Sequence, residues 1–431
     1  MEKLILTFKD FVYPGKVEAF LDGKKYFGIG VLPGEKAEVL VVKKEKNGYN
    51  VLPLKILKKS KLRKRPFESH FLSCSPFQII PYDSQVKIKS KLIIDEFSKE
   101  LNNYLKGGVI FNKIFTQKRT TGYRTKMEFS FAEQKGKIFL SFFKRYSYKE
   151  KIILKTGCKL ASKNLNLKAL ELVEFLNKEQ INPDILKSLI CRESKTTKEI
   201  ISILFLKDKS QKIEKIFRKL KNENLIVVFS DPKSPASKIN EILYKSGKDY
   251  LIENIFCIQL KYGFDNFFQN NIEMLKVALK IIKSEIPSGK FVFDLFCGVG
   301  TLGLSVAKKS KKVIGVEVDK KAIEFAKLNA KENKIYNFDG IVEDVSKLDF
   351  KMLEKLEVVI LDPPRAGLQE KLCLKLLKHL PEKIIYLSCN PKTQIEDLKI
   401  LLQKYKLKKL YYFDFYPHTL HSETLAILEP N

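Results

Sequence analysis

The sequence predicts an α/β chain. A Rossmann-like domain of parallel strands and helices is expected at the C-terminal end, preceded by a small OB-like β-barrel and a central α+β domain. Three observations carry this prediction. From Phe264 onward, short apolar runs alternate with amphipathic stretches, the pattern of repeated strand–helix units. Phe291-Val-Phe-Asp294 is followed by Gly298-x-Gly300-x-x-Gly303, a glycine loop between a buried strand and a helix. Near the N-terminus, strand-like runs are joined by the turn dipeptides Asp22-Gly23 and Asn47-Gly48.

Taken in order, residues from about Phe11 to Leu57 read as the barrel. Val17–Phe20, Tyr26–Val31, Val39–Lys43 and Tyr49–Ile56 are its strands. Lys58 to Arg65 is a basic linker expected to be solvated. A helix with apolar periodicity follows over 86–105, placed to pack on the last domain. The central α+β region holds Met127–Phe131, Ile138–Phe143, Ile201–Phe205 and Leu225–Phe229 as strands. Within it, Tyr123-Arg124-x-Lys126 sets an aromatic beside two cations, a combination suited to stacking and phosphate contact on RNA, or to protecting a sheet edge. In the last domain, strands are expected at Phe291–Phe293, Lys312–Val316, near Val342, at Val358–Leu361 and at Ile384–Ser388. An antiparallel pair, 408–414 with 424–428, closes the sheet. The expected domain limits are 1–62, 63–256 and 257–431.

Lys and Arg number 80 against 50 Asp and Glu, a formal net charge of +30, which favours a polyanionic partner. No apolar run of membrane-spanning length is present, and the first ten residues lack a signal-peptide core. The seven cysteines are scattered without CxxC spacing. That pattern fits a reducing cytoplasm rather than a disulfide framework.

The carboxyl ends of the parallel strands are where ligands lie in such a sheet. Asp294 precedes the first glycine, where it would repel a pyrophosphate and welcome a cationic amino acid. Glu317 ends the next strand and is placed to accept from ribose hydroxyls, and Asp344 from an adenine amino group. A ligand with an ammonium, a sulfonium and a free ribose is S-adenosylmethionine; the glycine spacing alone also fits a nicotinamide nucleotide. Asp362-Pro363-Pro364-Arg365 is a rigid turn that leaves Asp362 facing the reacting ring. Base-amino methyltransferases carry an aromatic where Arg365 stands, which argues against amino methylation. Cys389 ends a buried strand, with Asn390-Pro391 as N-cap and first helical residue, so a lowered thiol pKa is expected. Cys297 and Cys373 are weaker nucleophile candidates. In Tyr416-Pro417-His418-Thr419-Leu-His421-Ser-Glu423, the histidines are expected to order the loop, and Glu423 to face the pocket as a general base.

In this order, Phe268-Gln269-x-Asn271, Asp294-Leu-Phe-Cys-Gly-Val-Gly, Asp362-Pro-Pro-Arg, Ser388-Cys-Asn-Pro and Pro417-His-Thr-x-His-x-Glu423 resemble the RNA uracil-5-methyltransferase family, which makes 5-methyluridine in tRNA and 23S rRNA. The resemblance spans nearly the whole chain, and the N-terminal module resembles a TRAM domain. It implies Cys389 as nucleophile and Glu423 as base. It also implies S-adenosylmethionine held by Gln269, Phe296, Gly298, Thr301, Glu317, Asp344 and Asp362, with Tyr123, Arg124 and Lys126 on RNA. A monomer acting on 23S rRNA is the expectation, with tRNA, or a catalytically silent RNA-binding protein, as the alternative. Many rRNA-type relatives carry an iron–sulfur cluster on four cysteines. Here the corresponding stretch, Glu68 to Phe77, keeps Cys74, with Cys158 as a relic further on. Two thiolates do not hold a cubane, so neither iron nor any other metal is expected, and His70, Cys74 and Phe77 should pack as ordinary core.

Overall fold

In the computed structural model, which describes residues 2–105, 111–209, 212–221, 223–350 and 356–431, strands Lys3–Val12, Lys16–Leu21, Lys24–Gly28, Lys36–Glu45 and Gly48–Lys58 close into a barrel. Asp22 and Gly23 take φ of 49° and 70°, as a two-residue type I′ hairpin requires. The first strand is not among the sequence expectations, although Leu4, Leu6 and Phe8 alternate inward with period two. It pairs antiparallel with both the second and the fourth strand, and so closes the barrel. The basic linker is not simply solvated. Arg63 grips the fully buried Glu35 through both carboxylate oxygens, at 2.6 and 2.7 Å, and Ser60 N donates to the same carboxylate at 3.1 Å. This ion pair fixes the barrel's exit.

The central region is a seven-stranded sheet in the order Glu241–Ser246, Leu225–Phe229, Ile200–Leu206, Leu186–Glu193, Lys126–Gln134, Lys137–Phe143, Lys151–Ile153. Helix Lys163–Lys178 packs its Leu165, Ala169, Leu172 and Leu176 face into the same core.

The last sheet has eight strands. Phe338–Val342, Lys312–Glu317, Phe291–Leu295, Val358–Leu361 and Lys383–Ser388 run parallel. Glu423–Pro430 and Tyr405–Phe413 follow as the antiparallel pair. The strand order reverses between Phe291–Leu295 and Val358–Leu361, which opens a crevice at their carboxyl ends. An eighth strand, Lys113–Phe115, adds in parallel to the outer edge and comes from far upstream in the chain. Helix Tyr82–Leu101 also joins this domain, sinking Val86, Ile93, Phe97 and Leu101 among Ile395, Leu398 and Leu401. Among the described residues no helix is long and apolar enough to cross a membrane.

Helix Tyr82–Leu101 carries more than apolar contacts. Lys89, 2% exposed, places its ammonium 2.5 Å from Asp414 Oδ1 and donates to the carbonyls of Tyr416, Thr419 and His421 at 3.3, 3.3 and 2.9 Å. One turn earlier, Gln85 accepts from His418 N at 2.9 Å and donates to Phe77 O and Ile80 O. The helix therefore clamps the loop that leads into Glu423.

Removing one member of a buried ion pair strands the other, at a cost of about 3–5 kcal/mol. Lys89→Met is expected to lower stability by about that amount in urea unfolding. The double variant Lys89→Met/Asp414→Leu should recover only the part due to the unpaired carboxylate, because the carbonyls of Thr419 and His421 still lack their donor.

Candidate active site

The glycine loop is built by backbone geometry. Phe296, Gly298 and Gly300 have φ of 67°, 53° and 85°, and Phe296 N and Cys297 N both donate to Val316 O, at 2.9 and 3.1 Å. Gly303 N donates to Asp294 Oδ2 at 2.7 Å. A Cβ on Gly303 would lie 2.9 Å from that oxygen, so the strand and helix approach this closely only with glycine there. A Cβ on Gly298 would meet nothing within 4 Å, which leaves open space in front of the loop. Glu317 accepts from Gly298 N at 3.2 Å and from Val318 N at 2.8 Å, so its carboxylate borders that space. Thr301 begins the following helix. Hydrogen bonds from the Ser346 hydroxyl and from Ser346 N, the latter at 2.9 Å, hold the Asp344 carboxyl below the usual range.

Gln269 arrives from the segment before helix Ile272–Glu285, and the central domain holds that segment in place. Thr125 N donates to Asn270 O at 2.9 Å. Buried Arg192 donates to the carbonyls of Gly263, Phe264 and Asn266. Phe268 stacks on Tyr262 at 4.1 Å, and Asn271 caps the helix through Met274 N.

Cys389 and Glu423 meet because of strand register. Ser388 faces Thr424 across the antiparallel pair, so Cys389 and Glu423 are the next opposed positions. Asn390 stands at the N-cap position but makes no side-chain cap bond; its amide donates instead to Arg365 O at 3.0 Å and ties the two-proline turn to the cysteine. Glu423 is 1% exposed. Tyr416 Oη donates to its Oε1 at 3.3 Å, and its Oε2 has no partner. Burial, with Asp362 adding, pushes this carboxyl well above the usual range. Asp362 is itself raised to about 7 by burial, opposed by the Gln269 side chain.

The expected lowering of the Cys389 pKa is not found. Burial pushes the thiol up to about 11, with Glu423 and Asp362 adding and Arg365 opposing. A helix N-terminus contributes about 0.3–1 kcal/mol, too little to offset burial beside two carboxyl groups. A second correction concerns Tyr123. It is 5% exposed and donates to Pro417 O at 3.1 Å, so it offers no face for a base to stack on. Its neighbours Arg124 and Lys126 do reach a cavity.

Two cavities flank the site. One, of about 370 Å³, is lined by Cys389, Arg365, Pro391 and His421, with Tyr13 of the barrel. The other, of about 480 Å³, is lined by Arg124, Lys126, Arg145, Asn270 and His421. His421 borders both, and desolvation together with the arginines around it lowers its pKa to about 4. The His418 ring meets the Gln85 side-chain amide, Nδ1 to Nε2, at 2.9 Å. Gln269 Oε1, Asn270 Oδ1, Asp294 Oδ1, Arg124 Nε and Glu423 Oε2 are buried without a partner. Each such atom costs about 1–3 kcal/mol if left unpaired, so their concentration here marks a site waiting for a polar ligand. Tyr416, Asn270 and Arg145 have no role in the sequence reading. Tyr416 opens the same loop as the histidines, which was the available signal.

The family model described as tRNA (Uracil-5-)-methyltransferase matches residues 89–431. The chain belongs to that family. It is an RNA methyltransferase, using S-adenosylmethionine to methylate C5 of uracil. An uncharacterised RNA methyltransferase of Caldanaerobacter subterraneus is 28% identical, with 99% of both chains covered. Another from Prochlorococcus marinus is 32% identical over 93% of this chain and 99% of the relative. Among solved structures, the tRNA (uracil-54, C5)-methyltransferase of Pyrococcus abyssi, in complex with S-adenosyl-L-homocysteine, superposes with a TM-score of 0.74. It is 22% identical and covers 99% of this chain and 100% of its own. The fold shared with that protein thus extends over the barrel and central sheet as well.

The Asp294 carboxyl gives a pH dependence of known sign. Burial raises it from 3.8 to about 8, opposed by the Gly303 hydrogen bond. Between those values the folded chain holds a proton that the unfolded chain has released. Stability is therefore lost as pH rises through this window. Asp294→Asn keeps the acceptor for Gly303 and removes the titration. Its urea midpoint should fall less than the wild type's between about pH 5 and about pH 9.

Proposed function

We propose that Cys389 adds to C6 of a uridine in structured RNA and that Glu423 later removes the C5 proton. The opposed placement of these two side chains beside Asp362 is the observation that supports this reading. C5 of uracil is too weak a nucleophile to take a methyl group unaided. Thiolate addition at C6 converts the ring to an enolate whose C5 is nucleophilic. S-adenosylmethionine supplies the electrophilic methyl group. Gln269, Phe296, Gly298, Thr301, Glu317, Asp344 and Asp362 would hold it. Glu317 would take the ribose, Asp344 the adenine, and the carboxyls of Asp362 and Asp294 the cationic end. Loss of the C5 proton to Glu423 restores the ring's double bond and expels Cys389 as thiolate. In the free protein burial raises both groups, the Cys389 thiol to about 11 and the Glu423 carboxyl well above its usual range. Positive charge entering the pocket opposes the cost of burying a charge there and favours both ionised forms.

The uridine has to leave its stack to present both ring faces. Arg124, Lys126 and Arg145 would meet its flanking phosphates, and the barrel would act as a TRAM-like RNA-binding module. We favour 23S rRNA as the substrate. The description of the matching family model favours tRNA as the second reading. Mapping 5-methyluridine in both RNAs from cells with and without the gene discriminates them.

Cys389→Ala should give neither methylated product nor covalent complex. Glu423→Gln should slow turnover by about 10²–10⁴-fold and accumulate protein joined to already methylated RNA, seen as a shifted band on a denaturing gel with labelled RNA. An adduct formed by Cys389→Ala would overturn the assignment.

A further inference from the structure

The stretch that follows the barrel holds a cluster unused by this chemistry. Glu68, His70, Cys74 and Cys158 each offer one ligand atom, and these four atoms lie within 4.8 Å of one another. We propose that the four residues form a closed site for a single divalent transition metal, with zinc the ion that the donor set selects.

The distances support a tetrahedron. Two thiolates bound to one zinc at about 2.3 Å stand about 3.8 Å apart; Cys74 Sγ and Cys158 Sγ are 3.9 Å apart. An imidazole nitrogen and a carboxylate oxygen, each at about 2.0–2.2 Å, are separated by about 3.4 Å; His70 Nε2 and Glu68 Oε1 are 3.4 Å apart. His70 is 6% exposed, and its Nε2, aimed into the cluster, has no hydrogen-bond partner. A buried imidazole nitrogen facing two sulfurs and a carboxylate has an unmet valence that a metal fills.

The surroundings are those of a supported site. Gln78 donates to Glu68 Oε2 at 2.9 Å and to Ser75 Oγ at 2.7 Å, and its carbonyl accepts from the backbone of Phe67 and Glu68. Asn166 brackets the Cys158 backbone on both sides, at 2.9 Å each. Phe142 packs edge-on to the His70 ring. Such outer bonds orient metal ligands. A four-iron cluster does not fit, because it wants four thiolates and only two are here. The sulfurs are also well beyond disulfide bonding distance. Two thiolates, an imidazole and a carboxylate suit zinc, and four protein ligands make a structural site with no open position.

The ion would tie two loops together. Phe77 N, in the first loop, donates to His418 O at 3.0 Å, while Lys159 O and Leu160 O, in the second, accept from Gly122 N and Arg124 N. The staple would thus brace the wall of the cavity that carries Arg124, on the RNA side, and leave the cofactor loop untouched.

The test is metal content, measured by plasma mass spectrometry on full-length, untagged protein purified without chelator. One zinc per chain is expected, and it should be lost in Cys74→Ser and in Cys158→Ser. Should the buried Cys158 variant fail to fold, Gln78→Ala decides: it keeps all four ligands and should bind zinc about 10–100-fold more weakly while cofactor binding is unchanged. Cobalt(II) added to the metal-free protein should give a coloured thiolate complex in the wild type and not in Cys74→Ser. Protein with no stoichiometric metal and two free thiols, a Cys74–Cys158 disulfide, or iron with sulfide would each overturn the proposal. None of these readouts depends on methyl transfer.

Discussion

The site depends on a buried cation. Lys89 is sealed from water and satisfied by one carboxylate and three carbonyls, all in the segment from Asp414 to His421. That segment has no regular secondary structure to hold it, so its shape comes from the side chains that meet its carbonyls. A buried ammonium is tolerable only when its hydrogen bonds are complete. Any rearrangement of the segment would therefore strip Lys89 of partners. The same constraint fixes where Glu423 enters the last strand, opposite Cys389.

Around this clamp the chain separates its charges. Its net charge is +30, yet the carboxyl ends of the parallel strands gather Asp294, Glu317, Asp362 and Glu423. Burial keeps Asp294, Asp362 and Glu423 above their ordinary values. Carboxyls held up in this way ionise most readily beside a positive charge, so the pocket favours a cation over an anion. Arg124, Lys126 and Arg145 line the neighbouring cavity, where a phosphate backbone would find donors. The division matches a reaction with one cationic and one polyanionic participant.

Much of this was legible in the sequence. The glycine loop, the strand-end acids and the two-proline turn each sit at the turn or strand end where the sequence places them, because turns and strand ends are governed by nearest neighbours. The first barrel strand was missed, although its alternation was present, because a lone period-two run gives no sign of a partner 30 residues on. The edge strand Lys113–Phe115 was missed for a stronger reason. Three residues carry no period, and their place is set by Tyr411–Phe413, almost 300 positions away.

By itself, then, the sequence determined the five parallel strands and the closing antiparallel pair of the last domain, the residues at its strand ends and their chemical type. Only the tertiary structure decided their ionisation. A helix N-terminus is visible in Asn390-Pro391, but the burial and the two carboxyls that outweigh it come from other strands. It likewise decided that Tyr123 faces inward and that Glu68, His70, Cys74 and Cys158 share one point in space. Burial and convergence are sums over long-range contacts, and no local pattern along the chain records them.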